Sequence, residues 1–213
     1  IPMDETQNDH LKAYGLVYSA LKKQVRIEWL LNYKNGSFLI ENNNIIAKEA
    51  LMKGITYYNV SSSEINTIYE TINNNNMDIA VLEKAPEIAV YSPEGKQPWD
   101  DAVTLALTYA EIEYETIFDD EVLTGELIKY DWLHLHHEDF TGQYGKFYKS
   151  YKNTSWYKKL ENDFNKIAHN HGYGSVHKLK KGVALKIKEY VINGGFMFAM
   201  CSATDSFDIA LAA

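Results

Sequence analysis

The sequence predicts an α/β protein with a parallel sheet flanked by helices. Short apolar segments of strand length alternate with amphipathic segments of helical period, and strands that are separated by helices pair in parallel through right-handed crossovers. A second observation lies near the end of the chain, where the uncharged apolar segment 196–200 passes directly into a polar turn and another helix. Such a segment is typical of a sheet strand that is buried on both faces.

Residues 1–85 are predicted to form a smaller α/β segment at the start of the chain. Apolar stripes predict helices over residues 10–23, 44–53 and 61–72, the last with Ser61 as its N-cap and Glu64 in its first turn. β-Branched and aromatic residues predict strands at 25–31, 37–40 and 55–60. Because strands and helices alternate, we expect these strands to be parallel.

A cluster of prolines marks the start of a second domain, residues 86–213. Pro86, Pro93 and Pro98 lie close together, as is typical of a boundary. Strands are predicted at 88–91, 114–118, 131–137 and 196–200, and helices at 98–110, 156–169 and 175–193. The chain begins at Ile1 without an initiator methionine and ends within the apolar part of a helix, so we expect a fragment whose second domain is truncated at its C-terminus.

The composition excludes several classes of partner and site. The formal net charge of −8 disfavours a nucleic-acid backbone as the main partner, and no apolar run approaches the length of a membrane span. The single cysteine, Cys201, excludes an intramolecular disulfide and a cysteine-based zinc cluster. With 46% hydrophobic and 23% charged residues, the chain has the composition of a globular domain.

Cys201 lies where the last predicted strand turns into a helix. A nucleophile at such a turn is exposed, and a helix N-terminus favours the thiolate of a cysteine. These features are typical of a nucleophile elbow. Free cysteines are also common as small buried core residues, and the local pattern leaves both interpretations open.

A histidine-rich segment ends another predicted strand of the second domain. Strand alternation places His134 and His136 on one face and His137 on the other, with Glu138 and Asp139 directly after them. Imidazoles and carboxylates at the carboxyl end of a strand can supply a general base and its orienting acid, or ligate a metal ion. The alternative is a buried core histidine followed by carboxylates that cap the next segment.

Residues 140–157 are rich in aromatic and basic side chains. Gly142 and Tyr144 lie at the start of this segment. Aromatic side chains of this kind can stack on sugars or bases. We favour a lid that packs over the site.

From Pro86 onward, the order of elements resembles the class I glutamine amidotransferase-like fold, a flavodoxin-like α/β sheet with a cysteine on the elbow. The segment Gly194-Gly195-Phe196-Met197-Phe198-Ala199-Met200-Cys201 carries the resemblance. It implies that Cys201 is a nucleophile, with His136, His137 and Glu138 as candidate partners. It also implies a ligand cleft above the sheet, for which Asp139, Gly142, Tyr144 and Ser202 are candidate binding residues.

That family carries its catalytic histidine and glutamate after a strand beyond the elbow, whereas this chain ends twelve residues after Cys201. The resemblance therefore leaves three possibilities open. The partners lie outside this fragment, are replaced by His136 or His137, or have been lost.

Most of the chain also resembles an uncharacterised bacterial family that is often labelled "asparagine synthetase B". The blocks that carry this similarity are His10-Leu11-Lys12-Ala13-Tyr14-Gly15, Trp29-Leu30-Leu31-Asn32-Tyr33, residues 132–143 and residues 201–206. The resemblance implies an exported precursor and a periplasmic or extracellular location. The segment Ser202-Ala203-Thr204-Asp205-Ser206 lacks the glycines of a pyrophosphate-binding loop, so we expect no ATP and no other cofactor.

Three functional hypotheses follow. The first is a cysteine-dependent hydrolase or amidotransferase-like enzyme that acts through Cys201 on an amide or related carbonyl. The second is a non-catalytic module that binds a small molecule or a carbohydrate. The third is a metal-dependent hydrolase built on His136, His137, Glu138 and Asp139.

Overall fold

The computed structural model describes residues 1–93, 102–141 and 148–213. These residues group into two compact units. The first comprises residues 1–85 and 105–113, and the second comprises residues 86–104 and 114–213. Among the described residues, no helix is both long and apolar enough to cross a membrane.

The first unit contains a three-stranded antiparallel sheet of order β2-β1-β3. The prediction of parallel strands is wrong here because a tight turn joins β1 directly to β2, with Asn32, Lys34, Asn35 and Gly36 all at positive φ. The elements are α1 (His10–Lys22), β1 (Ile27–Leu31), β2 (Ser37–Ile40), α2 (Asn44–Met52), α3 (Ser62–Asn73) and β3 (Asp78–Leu82).

Two further differences concern the strands of this unit. Residues 55–60, predicted as a strand, have no regular secondary structure. The outer edge of β2 bonds instead to Ile1, whose carbonyl accepts from the N–H of Phe38 at 2.9 Å. The third strand is β3, which sequence reasoning missed and which pairs with the whole length of β1.

The second unit contains a four-stranded parallel sheet, and the sequence predicted parallel strands for this part of the chain. The strands lie in the order β5-β4-β6-β7. The chain places β5 on one side of β4 and then β6 on its other side. The strand order therefore reverses between β4 and β6. The elements are β4 (Ile88–Tyr91), α4 (Ala102–Ala110, from Leu105 part of the first unit), β5 (Glu115–Ile117), α5 (Asp119–Leu123), β6 (Trp132–Leu135), α6 (Tyr148–Tyr151), α7 (Ser155–Asn170), α8 (Val176–Ile192), β7 (Phe196–Ala199) and α9 (Asp205–Ala212).

One face of this sheet packs on helices α5, α7, α8 and α9 in a single apolar core. Ala89, Leu133 and Leu135 point into that core from the two central strands. The expectation that the last strand is buried on both faces is wrong. Among the described residues, β7 lies at the edge of the sheet, and Phe196 and Phe198, on the face opposite that core, are 60% and 44% exposed.

Candidate functional site

The carboxyl edge of the parallel sheet brings together the two segments that the sequence singled out. The segment after β6, residues 136–140, is called the histidine loop below. Its carbonyl oxygens bind the turn after β7, because the Ala203 N–H donates to the carbonyl of His136 at 3.1 Å and the Ser202 hydroxyl donates to that of His137 at 2.8 Å. These bonds hold the turn that carries Cys201 against the histidine loop.

Cys201 is exposed and has a positive φ of 51°. It follows β7 after one residue and opens a 3-10 turn, Cys201–Thr204, that leads into α9. Among the described residues, the N–H of Ser202 donates to no other group. A nucleophile elbow likewise places an exposed side chain beside the backbone N–H of the next residue.

The two histidines after β6 stack on each other. The ring centroids of His136 and His137 are 3.5 Å apart, with 27° between the planes. The prediction that His137 lies opposite His134 and His136 is wrong, because β6 ends at Leu135 and strand alternation no longer applies beyond it. His137 is exposed and His136 is half-buried.

His134 is buried on the face of the sheet opposite the apolar core. It is fully buried, and its ring stacks on that of Phe198 at 5.9 Å. Within the described parts of the chain, no hydrogen bond joins the thiol of Cys201 to an imidazole. Catalytic hydrogen bonds often form only once substrate is bound, so this geometry leaves both remaining histidines as candidate bases.

The two acidic residues of the histidine loop have different surroundings. Glu138 is only 7% exposed. Asp139 accepts from the Thr141 N–H at 2.8 Å and also from the Thr141 hydroxyl, so its carboxylate holds the local turn. Gly142 and Tyr144, the other candidate binding residues, lie outside the described residues.

A buried group that the sequence analysis missed lies at the same edge of the sheet. Tyr91 ends β4, Asp119 opens α5 just after β5, and Lys180 lies on α8; we call these three residues the lysine cluster. The signal was present, because Lys180 falls between Leu179 and Val183 on the apolar stripe of α8.

Burial and the nearby carboxylates change the pKa of Tyr91. Burial contributes most to raising the pKa of Tyr91 well above its usual value. The charge of Asp119, its hydrogen bond with the phenol, and the charge of Glu138 act in the same direction. The phenol of Tyr91 is therefore uncharged near pH 7, and its hydroxyl donates a hydrogen bond to a carboxylate oxygen of Asp119.

The arrangement of side chains does not favour the metal hypothesis. In the ranges 1–93, 102–141 and 148–213, no three histidine, cysteine, aspartate or glutamate side chains converge in a group that could hold a metal ion. His136 and His137 stack instead of presenting nitrogen atoms to a common point, and Asp139 is held by Thr141.

The first unit has a large cleft of its own, with a volume of about 1340 Å³. Its apolar lining includes Leu30 and Ile68, and Tyr33, Tyr57 and Tyr58 add aromatic surface. Charged groups of both signs also line it, so the cleft does not select strongly for either charge. Polar and charged groups therefore share the lining of this cleft with apolar and aromatic side chains.

Comparison of the chain with protein families, curated proteins and solved structures gave no match. The geometry alone defines the candidate site. An exposed cysteine lies at a strand–helix turn, and the next two residues of that turn donate hydrogen bonds to the carbonyls of two stacked histidines.

Proposed function

We propose that this protein is a hydrolase that uses Cys201 as its nucleophile and acts on an amide or a related carbonyl. The observation that carries the proposal is the exposed Cys201 at positive φ between β7 and a helix. Nucleophile elbows place their reactive side chain on a strained turn of this kind.

The strand order supports placing this activity in a flavodoxin-like, class I glutamine amidotransferase-like domain. Numbered within the second unit, the order β5-β4-β6-β7 becomes 2-1-3-4, the beginning of the flavodoxin-like order. Such sheets bind ligands beyond the carboxyl ends of the strands at the point where the order reverses, here beside β4 and β6. The substrate would be a small molecule in that cleft.

In the proposed reaction, the Cys201 sulfur attacks the carbonyl carbon while an imidazole accepts the thiol proton. We assign this role to His137 because it is exposed and its backbone is bonded to Ser202. The Ser202 N–H donates to the oxyanion. The imidazolium then protonates the leaving amine as the carbon–nitrogen bond breaks, and water hydrolyses the thioester to release the acid and the free thiol.

The proposal predicts that Cys201 reacts with iodoacetamide at pH 7 faster than free cysteine does, by about tenfold or more. Because the chain has one cysteine, the mass increase of the intact protein measures this residue alone. The variant His137→Ala should slow the reaction. His10→Ala is the matched control, since the ring of His10 contacts the carbonyl of Met3 within the first unit and its loss should leave the rate unchanged. A wild-type rate equal to that of free cysteine would exclude an activated nucleophile.

The cleft of the first unit favours a second candidate function, a non-catalytic module that binds a small molecule or a carbohydrate. Tyrosines such as Tyr57 and Tyr58 offer flat surfaces and hydroxyl groups to such a ligand. The two candidates differ in one respect. A binding module would keep its ligand affinity in Cys201→Ala and lose it in Tyr57→Ala, whereas the enzyme would lose its turnover in Cys201→Ala.

A further inference from the structure

Lys180 forms a buried ion pair that the proposed reaction does not use. Its side chain is 1% exposed and that of its partner Asp119 is 0% exposed. The ammonium lies 2.9 Å from both carboxylate oxygens of Asp119 and 2.9 Å from the hydroxyl of Tyr91. Its three N–H donors therefore all have partners, and one arrangement of the three side chains satisfies the cluster.

Aromatic rings surround the same ammonium. Its nitrogen lies 4.3 Å from the ring centroid of Phe118, 5.2 Å from that of Phe164 and 5.7 Å from that of Phe140. Phe140 is 1% exposed and stacks on Tyr91, with centroids 5.3 Å apart and 25° between the planes. Phe140 therefore contacts two members of the lysine cluster, the ammonium of Lys180 and the ring of Tyr91.

Phe140 is also the last residue of the histidine loop. One end of that loop is held by the bonds from Ala203 and Ser202 to the carbonyls of His136 and His137. The other end is held by Phe140 in the aromatic shell of Lys180. His136 and His137, which carry the stacked imidazoles, lie at the first of these points, and Glu138 and Asp139 link them to Phe140.

A buried ion pair contributes little net stability, because the cost of removing two charges from water offsets their attraction. An apolar pair of similar volume could fill the same space. The ion pair differs from an apolar pair because its hydrogen bonds are directional. They orient the hydroxyl of Tyr91, and the ring of Tyr91 stacks on that of Phe140.

We infer that Lys180 and Asp119 are positioning residues that hold the histidine loop, and with it the imidazoles of His136 and His137, in register with Cys201. This inference rests on the proposed function, because it concerns the orientation of the base of that reaction.

The double variant Lys180→Met/Asp119→Leu tests it by removing both charges while keeping a filled core. We expect cooperative unfolding to persist, the ring resonances of His136 and His137 to shift in ¹H–¹³C NMR spectra, and alkylation of Cys201 to slow by about tenfold. The histidine resonances are assigned with His136→Gln and His137→Gln. The control Lys186→Met/Glu189→Gln removes an exposed pair from the same helix and should change neither readout.

A second variant, Phe140→Leu, keeps the ion pair but removes the stacked ring, and it should shift the same resonances. If both folded variants leave the His136 and His137 resonances at their wild-type positions, the inference is overturned. The resonances report on positioning whether or not Cys201 is reactive. A wild-type thiol that reacts like free cysteine would therefore reject the proposed enzyme without deciding the role of Lys180.

Discussion

Cys201 has a backbone conformation that favours glycine. Its φ of 51° lies in the left-handed region, where the β-carbon of any other residue crowds the backbone. Such strain costs about 1–3 kcal/mol and is common at functional sites. The exposed thiol makes no packing contribution that would explain its presence at this position.

Replacing Cys201 by glycine should therefore stabilise the protein relative to replacing it by alanine. We expect the free energy of unfolding of Cys201→Gly to exceed that of Cys201→Ala by about 1 kcal/mol, measured by urea denaturation. At Asp208, an exposed position inside α9, the order should be the usual one, with alanine more stable than glycine. If alanine were more stable than glycine at position 201 as well as at position 208, the turn would carry no strain.

At the scale of elements, α1 approaches the end of α4 very closely through Gly15. A β-carbon at this position would lie 1.7 Å from the carbonyl oxygen of Ala110, which belongs to the backbone and cannot rotate away. The helix therefore requires glycine in its buried middle although glycine lowers helix propensity. Gly182 in α8 differs, because a β-carbon there would meet the movable hydroxyl end of Tyr173 at 2.2 Å.

Gly15→Ala should destabilise the first unit by about 2 kcal/mol or more, since the two helices must separate to relieve the clash. The gain of about 1 kcal/mol in helix propensity does not offset this. Urea denaturation of Gly15→Ala and of the control Gly182→Ala measures the difference. We expect a clearly smaller loss for Gly182→Ala, and equal losses would contradict the close approach of α1 to Ala110.

The sequence predicted the long elements well because their periodic apolar faces determine them locally. Helices α1, α2 and α8 begin within one residue of the predicted positions, and strands β2 and β4 have the predicted bounds. The antiparallel direction of β2, the irregular residues 55–60 and the exposed face of β7 depend on which strands become neighbours. Local patterns do not contain that information.

The site shows the same division between local and long-range information. The strand–turn–helix pattern around Cys201 was predicted because it is contiguous in sequence. The stacking of His136 on His137 depends on where β6 ends, which differs from the prediction by two residues. The lysine cluster joins three residues from β4, α5 and α8, and only the order of the strands brings them together.

At the scale of the whole molecule, hydrogen bonds lower the pKa of several carboxyl groups in the first unit. Burial alone would raise the pKa of Glu49, but hydrogen bonds from Lys23 and Lys53 outweigh it and hold the pKa below its usual value. Hydrogen bonds from lysines likewise lower the pKa of Glu111. In the first unit, the carboxyl groups with a lowered pKa are Asp4, Asp9, Glu49, Glu64 and Glu111.

Acid should therefore weaken the first unit before the second. A carboxyl group with a lowered pKa in the folded state stabilises the fold above its ordinary pKa, and this stabilisation is lost as the pH falls through the folded-state pKa. We expect the amides of β1 to lose hydrogen-exchange protection, corrected for intrinsic rates, at higher pH than those of β6, beginning below about pH 4.5.

Glu49→Gln/Glu111→Gln should flatten the pH dependence of protection in β1, because the groups that titrate have been removed. Glu189→Gln, an exposed change in the second unit, should leave it unaltered. Earlier loss of protection in β6, or an unchanged pH dependence of protection in the double variant, would contradict this effect of the carboxyl groups of the first unit.

In the second unit, the residues that pack the core lie within the strands, and the candidate reactive residues lie after the strand ends. This sheet is therefore suited to redesign. Ala89, Leu133 and Leu135 hold the helices, whereas the candidate reactive groups follow the strand ends. A grafted loop could replace residues 136–139 and bring a different reaction to the same sheet. Phe140 is the exception, because its ring belongs to the core beside Lys180, so every graft would have to end on an aromatic residue at that position.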